Sequence, residues 1–465
     1  MRHTKVIATV GPATDAPEVL EKIISAGVDV VRLNAAHSEP PELERAVGLV
    51  RRAAEAVGRD VAILVDLPGP KIRLGDIAPG TVLEAGDGFS LVDEECIGDS
   101  TRACVTHLAL TTDVRTGNRV LLDDGRIELA VTSTAPGVVN TRVVTGGELL
   151  SHKGVNVPGV RLSVDAITDY DRTVLEWACA SDVDWIGQSF VRSPHDVEAL
   201  RDLMGENRIP IVAKIEKHEA VDEIDAVLVA ADAVMVARGD LAVETAPERV
   251  PVLQLQIIAA ARAVGKPVVV ATEMLDSMRE RPHPTRAEAS DVANAIFNCA
   301  DGVMLSGETA VGAYPVQAVE TMVRIILEAE SVASPADQAP AHQSIDDVQR
   351  AMSTAVCDLA ADLGVAAIVP LTQSGATAFA VSRHRPDAPI IAATPNLCTS
   401  RKLALAWGVR SVVIPFTDDA AELLDSVTAA VCAAGFAKPG ERVALTAGLW
   451  ARTPGGTDFV HVRSV

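Results

Sequence analysis

The chain is poor in aromatic residues, which make up only 3% of its 465 residues although 48% are hydrophobic. Its cores must therefore be aliphatic, built mainly from Val, Ala, Leu and Ile. More than one core is expected, because single hydrophobic cores stop growing well below this chain length. The composition favours a globular protein of two or three domains.

Other features that are scarce or missing exclude several classes of protein. Basic residues are outnumbered, giving a net charge of −22, so a nucleic-acid partner is not expected. No apolar stretch reaches membrane-spanning length, and no signal peptide precedes the strand-like run TKVIATV near the N-terminus. The seven cysteines form neither a CxxC pair nor a Cys/His metal motif. We predict a cytoplasmic protein with no membrane association.

Apolar runs alternate with amphipathic helical segments over much of the chain. Eight of these runs are predicted to be buried parallel strands, ending near Thr9, Leu33, Val65, Ser189, Ile215, Ala237, Thr272 and Leu305. Eight alternating units indicate an α/β fold with a closed (β/α)8 TIM barrel rather than an open sheet. In such a barrel, the chemistry is expected at the C-terminal ends of the strands.

The alternation breaks once, between the third and fourth strands. Residues 74–157 are punctuated by Gly and Asp between short Val/Thr/Leu runs, which predicts an inserted small β-barrel domain that covers the strand ends as a lid. The barrel then consists of residues 1–73 and 158–332. A linker rich in Ala, Pro and Ser (331–344) precedes a separate C-terminal α/β domain, residues 345–465.

Acidic residues and cations gather at the predicted strand ends. Glu216 and Asp240 are hard oxygen ligands suited to Mg²⁺ or Mn²⁺. Arg32, Arg73 and Lys214 could hold a phosphoryl group and stabilise its charge during transfer. One such charged motif alone is more typical of a solvated strand end, but their joint placement favours a functional site.

Three further residues at these ends suggest roles in binding or proton transfer. Gly239 would let a small anionic substrate approach the backbone, and Thr272 is a candidate hydroxyl relay. His37 could contact substrate or cap a local helix. No GxxxxGK[ST] loop and no strand-following GxGxxG motif is present, so a nucleotide must be bound in another way. Lys153 could reach its phosphates from above the barrel.

Taken together, the motifs resemble those of the pyruvate kinase family over essentially the whole chain. In family order they are TKVIATVGPAT, VVRLN, GPKIRLG, LLDDG, KGVNVPG, QSFVRS, AKIE, VARGDL, ATEMLDSM, PTRAEASDVANA and MLSGETAVGAYP. The resemblance implies a barrel, a lid and a C-terminal regulatory domain, usually assembled as a homotetramer. It also implies transfer of a phosphoryl group from phosphoenolpyruvate to ADP, giving pyruvate and ATP with Mg²⁺ or Mn²⁺ as cofactor.

The resemblance assigns roles to matched positions. Lys214 would stabilise the transferring phosphoryl group, Arg32 would contact substrate, and Gly239 and Thr272 would contact phosphoenolpyruvate or pyruvate. Glu216 and Asp240 would ligate Mg²⁺. The positions that match nucleotide contacts are His37, Arg73 and Lys153.

One departure from the family pattern concerns the monovalent cation. Lys71 stands where K⁺-dependent members have Glu, and Ala36 stands where they have a hydroxyl ligand of K⁺. With Asn34 and Asp66 expected nearby, the Lys71 ammonium would replace K⁺, so that K⁺ is not required. A second departure is Glu273, which stands for the usual Gln and could repel an anionic substrate or pair with a cation.

The C-terminal domain carries PLTQSGATA, in which small hydroxylic residues and Gly precede a helix. Such a loop can cradle a phosphate, and the family uses it for effectors, so the candidate effector residues are Thr372, Ser374, Gly375 and Thr377. An ordinary helix N-cap is the alternative. Gln373 stands where tight bisphosphate binders often have a basic residue, which favours a monophosphate effector or none.

Two alternative functions remain open at this point. A barrel lyase or aldolase acting on pyruvate or phosphoenolpyruvate shares the need for Arg, Glu and Asp, but it needs neither a lid nor Lys153. A non-catalytic or weakly active paralogue that senses metabolites would explain the departures at the site. Against it, the chain retains Lys214, Glu216, Asp240 and Thr272.

Overall fold

A closed parallel barrel forms the centre of the molecule. The computed structural model describes residues 2–107, 110–332, 348–417, 419–448 and 457–465. The barrel strands are β1 Lys5–Val10, β2 Val30–Asn34, β3 Ala62–Leu67, β4 Trp185–Gln188, β5 Ile211–Ile215, β6 Ala233–Ala237, β7 Val268–Ala271 and β8 Gly302–Leu305. Each pairs in parallel with its neighbours in the chain, and β1 pairs with β8 to close the ring. The predicted TIM barrel is confirmed.

Helices surround the barrel and bury an aliphatic face against it. They span Pro17–Ala26, Pro40–Val57, Asp169–Ala180, Pro194–Leu203, His218–Asp222, Ile224–Ala230, Arg238–Glu244, Val250–Val264, Arg286–Phe297, Gly307–Ala310 and Pro315–Val332. Their limits follow from local chemistry. The first begins at Pro17, whose fixed φ suits the first helical position, and stops at Gly27, where φ is +130°. No helix among the described residues is both long and apolar enough to cross a membrane.

The inserted domain is built from short strands around its own aliphatic core. Its strands are Val82–Leu83, Gly88–Val92, Arg102–Cys104, Arg119–Leu122, Ile127–Ala135, Val138–Thr145, Gly147–Glu148 and Val155–Asn156, with a helical turn at Leu110–Asp113. Six strands form one sheet, whose edge strands are Val155–Asn156 and Arg102–Cys104. The chain that enters the domain joins these two edges. Arg73 forms a single bridge with Gly154, next to one edge strand, and Leu74 forms one with Val105, next to the other. The sheet therefore curls into the predicted small barrel.

The C-terminal domain is a five-stranded sheet with helices packed on it. Its strands are Ala367–Pro370, Ile390–Thr394, Val409–Val413, Arg442–Ala447 and Phe459–Ser464, and its helices are Val348–Leu363, Ala376–Ser382, Leu397–Lys402 and Ala420–Ala433. The first four strands are parallel, and the last pairs antiparallel with Arg442–Ala447. The α/β class is confirmed. Most of the predicted linker 331–344 lies outside the described residues.

The C-terminal domain closes the end of the barrel opposite the strand C-termini. Leu405, only 2% exposed, joins the layer of side chains inside the barrel that includes Ile7 and Trp185. The Lys5 ammonium donates a 2.6 Å hydrogen bond to the carbonyl of Val409 across the joint. Arg385 pairs with Asp301 at 3.0 Å, again linking the two domains. The contact is therefore both apolar and ionic.

The buried Lys5 ammonium makes stability depend on pH. Burial lowers its pKa to about 8 from the ordinary value of 10.5. Between these values the unfolded chain holds a proton that the folded chain releases, so the contribution of Lys5 to stability rises with pH in that window. As pH rises from about 8 to 10, we expect the unfolding free energy of the wild type, measured by urea titration, to increase relative to that of Lys5→Met. Parallel pH curves for the two proteins would contradict this assignment.

Candidate active site

Lys214 is the central cation at the C-terminal end of the barrel. It lies on β5 and is 11% exposed at its side chain, with its Nζ atom 3.3 Å from Asp66 Oδ1 and 3.0 Å from Glu216 Oε1. It also donates a 2.7 Å hydrogen bond to Ser189 Oγ. Burial alone would lower the pKa of Lys214, but the two carboxylates outweigh that effect and raise it. Lys214 is therefore a permanent positive charge and not a proton donor at neutral pH.

Asp66, on β3, holds two cations in place. Its Oδ2 accepts a 2.6 Å hydrogen bond from Arg32 Nε, and its Oδ1 faces Lys214. Although burial would raise the pKa of Asp66, Lys214 and Arg32 together lower it. Arg32 also donates to Thr9 Oγ1 at 3.2 Å. Two of the three predicted phosphoryl-binding cations, Arg32 and Lys214, are thus fixed by one ionised carboxylate.

Glu216 and Asp240 form the predicted metal-binding pair. Glu216 is 1% exposed, and its Oε2 accepts a 2.8 Å hydrogen bond from the backbone N–H of Phe190. Burial raises the pKa of Glu216 and the nearby Asp240 charge adds to the rise, while Lys214 opposes it. A divalent cation between two such carboxylates would relieve their repulsion, so the residues fit Mg²⁺ or Mn²⁺.

This pair does not form a complete metal cage by itself. Within the described ranges, no group of three or more His, Cys, Asp or Glu side chains converges on one point. Two carboxylates leave most of an octahedral shell to water and substrate oxygens, which is how Mg²⁺ is usually held when it bridges to a phosphate.

Gly239 and Thr272 meet beside the carboxylate pair. Thr272 Oγ1 accepts a 2.9 Å hydrogen bond from the backbone N–H of Gly239, which leaves the hydroxyl proton of Thr272 available to a substrate. Thr272 and Glu273 have φ of +71° and +53°. Such positive values are costly, most of all for the β-branched Thr272. Arg238 holds this loop by donating to the carbonyl of Thr272 at 2.6 Å.

Lys71 reaches the carboxylate pair from the loop after β3. The loop turns at Gly69, where φ is +65° and where an added Cβ would lie 3.1 Å from the Phe190 ring. Lys71 Nζ then lies 3.3 Å from Asp240 Oδ1. In the described part of the chain its ion pair is to Asp240, whereas Asp66, which was expected nearby, pairs with Arg32 and Lys214.

The other residue expected near Lys71 serves the backbone. Asn34 Oδ1 accepts a hydrogen bond from the N–H of Ala36, which caps the short 3-10 helix Ala35–His37. His37 ends that helix, and its side chain lies outside the described atoms. The capping role that the sequence left open for this segment is thus taken by Asn34.

A cleft of about 560 Å³ separates the barrel face from the lid. From the barrel it is lined by Lys71, Gly239, Asp240 and Glu273, and from the lid by Arg119, Leu121, Asp124, Gly125 and Glu128.

Two of the predicted nucleotide contacts are tied to the lid: Arg73 donates to the carbonyl of His152 at 3.0 Å, and Lys153 pairs with Asp123 at 2.8 Å. Glu273 is exposed at the cleft edge, so solvent screens its repulsion of an anion.

The candidate effector loop is organised by its own hydrogen bonds. Thr372 Oγ1 accepts from the N–H of Gly375 at 2.9 Å, and Gly375 has φ of +95°. Ser374 Oγ accepts a long bond from Ala376, and Thr377 Oγ1 lies 2.9 Å from Thr457 Oγ1. These contacts account for the loop as a helix start; effector binding there stays a prediction.

Sequence reasoning overlooked two groups that this geometry brings into the site. Ser189 was noted only as a strand end, yet its hydroxyl accepts from Lys214 and donates to the carbonyl of Leu67. Phe190, with φ of +55°, aims its N–H at Glu216. The QSFVRS motif marks both positions, but only the three-dimensional structure shows that they contact Lys214 and Glu216.

Comparison with known proteins gives one consistent result. A family model described as the pyruvate kinase barrel domain matches residues 1–319, and one described as the pyruvate kinase alpha/beta domain matches residues 350–463. The chain belongs to the pyruvate kinase family. It is 41% identical to a pyruvate kinase from Clostridium acetobutylicum, with 100% of each chain covered.

Other members of the pyruvate kinase family give the same picture. The chain is 42% identical to pyruvate kinase 2 from Synechocystis and to a pyruvate kinase from Geobacillus stearothermophilus, covering 79% and 80% of those proteins and all of this one. These likenesses favour a phosphotransferase over the lyase and over the non-catalytic sensor. They agree with a site in which the cations and the carboxylate pair are all present.

The geometry predicts the effect of removing the central cation. Lys214→Met should lower turnover of phosphoenolpyruvate by a hundredfold or more, on the order expected for losing a preorganised charge. The matched control is Lys266→Met, which removes a lysine whose Nζ donates to the carbonyl of Ala231. Turnover is measured by pyruvate formation, and thermal melting verifies folding. A folded Lys214→Met protein with near wild-type turnover would refute the role given to Lys214.

Proposed function

We propose that this protein transfers the phosphoryl group of phosphoenolpyruvate to ADP, with Mg²⁺ or Mn²⁺ as cofactor. The observation that carries the proposal is the Lys214 ammonium held between Asp66 and Glu216 at the mouth of the barrel, at 3.3 and 3.0 Å. A fixed positive charge there can stabilise the negative charge on the equatorial oxygens of the phosphoryl group during its transfer.

Each remaining residue has a place in this scheme. Arg32, oriented by Asp66, would hold the phosphate of phosphoenolpyruvate through its free N–H groups. Glu216 and Asp240 would hold the divalent cation, which supplies charge neutralisation between the two phosphorylated substrates when bound. Gly239 and Thr272 would contact the pyruvate moiety. The Thr272 hydroxyl, whose oxygen accepts from the Gly239 N–H, would give its proton to the enolate carbon while taking one from water.

ADP would enter the cleft between barrel and lid. In this scheme Arg73 and Lys153 approach the phosphates from the lid side, and His37 approaches from the barrel side. Closing the lid would exclude water, which otherwise competes with ADP as the phosphoryl acceptor. Assembly as a homotetramer, a cytoplasmic location and a phosphorylated effector in the C-terminal domain remain predictions from the sequence.

The pairing of Lys71 with Asp240 supports a role for Lys71 as an internal monovalent cation. Its Nζ lies 3.3 Å from a carboxylate proposed to hold the divalent metal, so its charge is placed where the site gathers anionic oxygens. An ammonium covalently attached there makes an added K⁺ unnecessary. We therefore propose that turnover does not depend on K⁺.

This proposal predicts the response to monovalent salts. Wild-type protein should form pyruvate from phosphoenolpyruvate and ADP with Mg²⁺ at rates that agree within about twofold in KCl and in tetramethylammonium chloride. Lys71→Glu should lose most activity in both salts, whereas Ala36→Ser combined with Lys71→Glu should regain it only in K⁺. The charge-matched control is Lys22→Glu, an exposed lysine on the helix Pro17–Ala26. Strong K⁺ activation of the wild type would refute the proposal.

A further inference from the structure

A buried carboxylate, Glu244, ends the helix that carries Asp240 and has not been assigned to the proposed metal site. Glu244 is only 3% exposed, and a single one of its oxygens, Oε1, receives two donors. Lys217 Nζ lies 2.7 Å from this oxygen, and Asn156 Nδ2 donates to it at 2.7 Å. A buried charge costs much less when it is paired and hydrogen-bonded, so this contact is a strong link among three segments.

Two of the three linked segments carry the proposed metal ligands, and the third belongs to the lid. Asn156 lies on the last lid strand, Val155–Asn156, where the chain returns to the barrel. Lys217 directly follows the proposed metal ligand Glu216. Glu244 ends the helix Arg238–Glu244, whose first turn carries Gly239 and Asp240. One carboxylate therefore connects the lid to the segments that position both proposed ligands.

A second contact leads from Lys217 to Glu216. The Lys217 ammonium lies 5.9 Å from the centroid of the Phe190 ring, within cation–π range. The backbone N–H of Phe190 donates to Glu216 Oε2 at 2.8 Å. A displacement of Lys217 would thus disturb Glu216 both through the chain and through Phe190.

The two oxygens of Glu244 are bonded unequally. Glu244 Oε2 is shielded from solvent and accepts no hydrogen bond within the described residues. Asn156 and Lys217 are therefore both held by one oxygen of the Glu244 carboxylate.

We propose that Glu244 is a positioning residue that couples the lid to the carboxylate pair: when Asn156 changes its position with the lid, Glu244 and Lys217 adjust Glu216 and Asp240 for the divalent cation. Lid closure would then tighten metal binding, and metal binding would favour the closed lid, since such coupling is reciprocal. The inference rests on the proposed role of Glu216 and Asp240 as metal ligands.

The test replaces the lid donor without changing its bulk much. In Asn156→Leu, we expect the half-saturating Mg²⁺ concentration and the KM for ADP to rise about tenfold, while kcat falls less than threefold and the melting temperature stays close to that of the wild type. The matched control is Asn140→Leu, which removes an asparagine that donates to Ser133 Oγ within the lid. The control should stay within twofold of the wild type in every parameter.

Binding of Mn²⁺ to the full-length protein, followed by electron paramagnetic resonance, separates the two levels of the proposal. Asp240→Asn, Asn156→Leu and Glu244→Gln should all weaken Mn²⁺ binding. If Asp240→Asn binds Mn²⁺ like the wild type, the metal site itself is wrong. If Asp240→Asn weakens binding but Asn156→Leu does not, only the coupling is overturned. A lower melting temperature of Asn156→Leu with unchanged Mg²⁺ dependence would show a merely structural bond and also overturn it.

Discussion

The buried ion pair network around Lys214 is the constraint on which the rest of the site depends. An isolated buried ammonium would lose its proton or unfold the site, because desolvation penalises its charge. Asp66 and Glu216 reverse that penalty, and burial in turn makes their own charges dependent on Lys214. The three groups therefore stabilise one another, and removing any one leaves uncompensated charge in the barrel mouth.

The charged groups of this network come from the C-terminal ends of neighbouring barrel strands. Asp66 lies near the end of β3, Lys214 near the end of β5, and Glu216 directly after β5. Ser189 follows β4, which lies between β3 and β5 in the sheet. The parallel closed barrel brings these three neighbouring ends within hydrogen-bond distance although they are far apart in sequence. Arg32 on β2 extends the row by one strand. The fold acts as a template that converts separate strand ends into one line of alternating charge.

Much of this could be predicted from the sequence, because strand ends in a parallel barrel share one face. The positions at which the apolar runs end placed Lys214, Glu216 and Asp240 correctly at that face. The predicted and observed ends of β5 and β6 coincide, at Ile215 and Ala237. Pairing within the face was harder to predict. Lys71 contacts Asp240 because a left-handed turn at Gly69 aims its loop across the barrel mouth, a direction that no residue pattern specifies.

Long-range hydrogen bonds to buried carboxylates were also beyond the reach of sequence patterns. Glu244 looks like an ordinary last residue of a short helix, and Asn156 looks like one residue of a family motif; they are 88 positions apart and meet only because the lid folds back on the barrel. Local helix and strand propensities carry no information about such a contact between distant segments. The lid is joined to the barrel by two chain crossings, and the charged bond between Asn156 and Glu244 lies beside the second of them. Any rotation of the lid at that crossing would strain this bond. In the proposed coupling, the carboxylate that stabilises the joint also ties movement of the lid to movement of the proposed metal ligands.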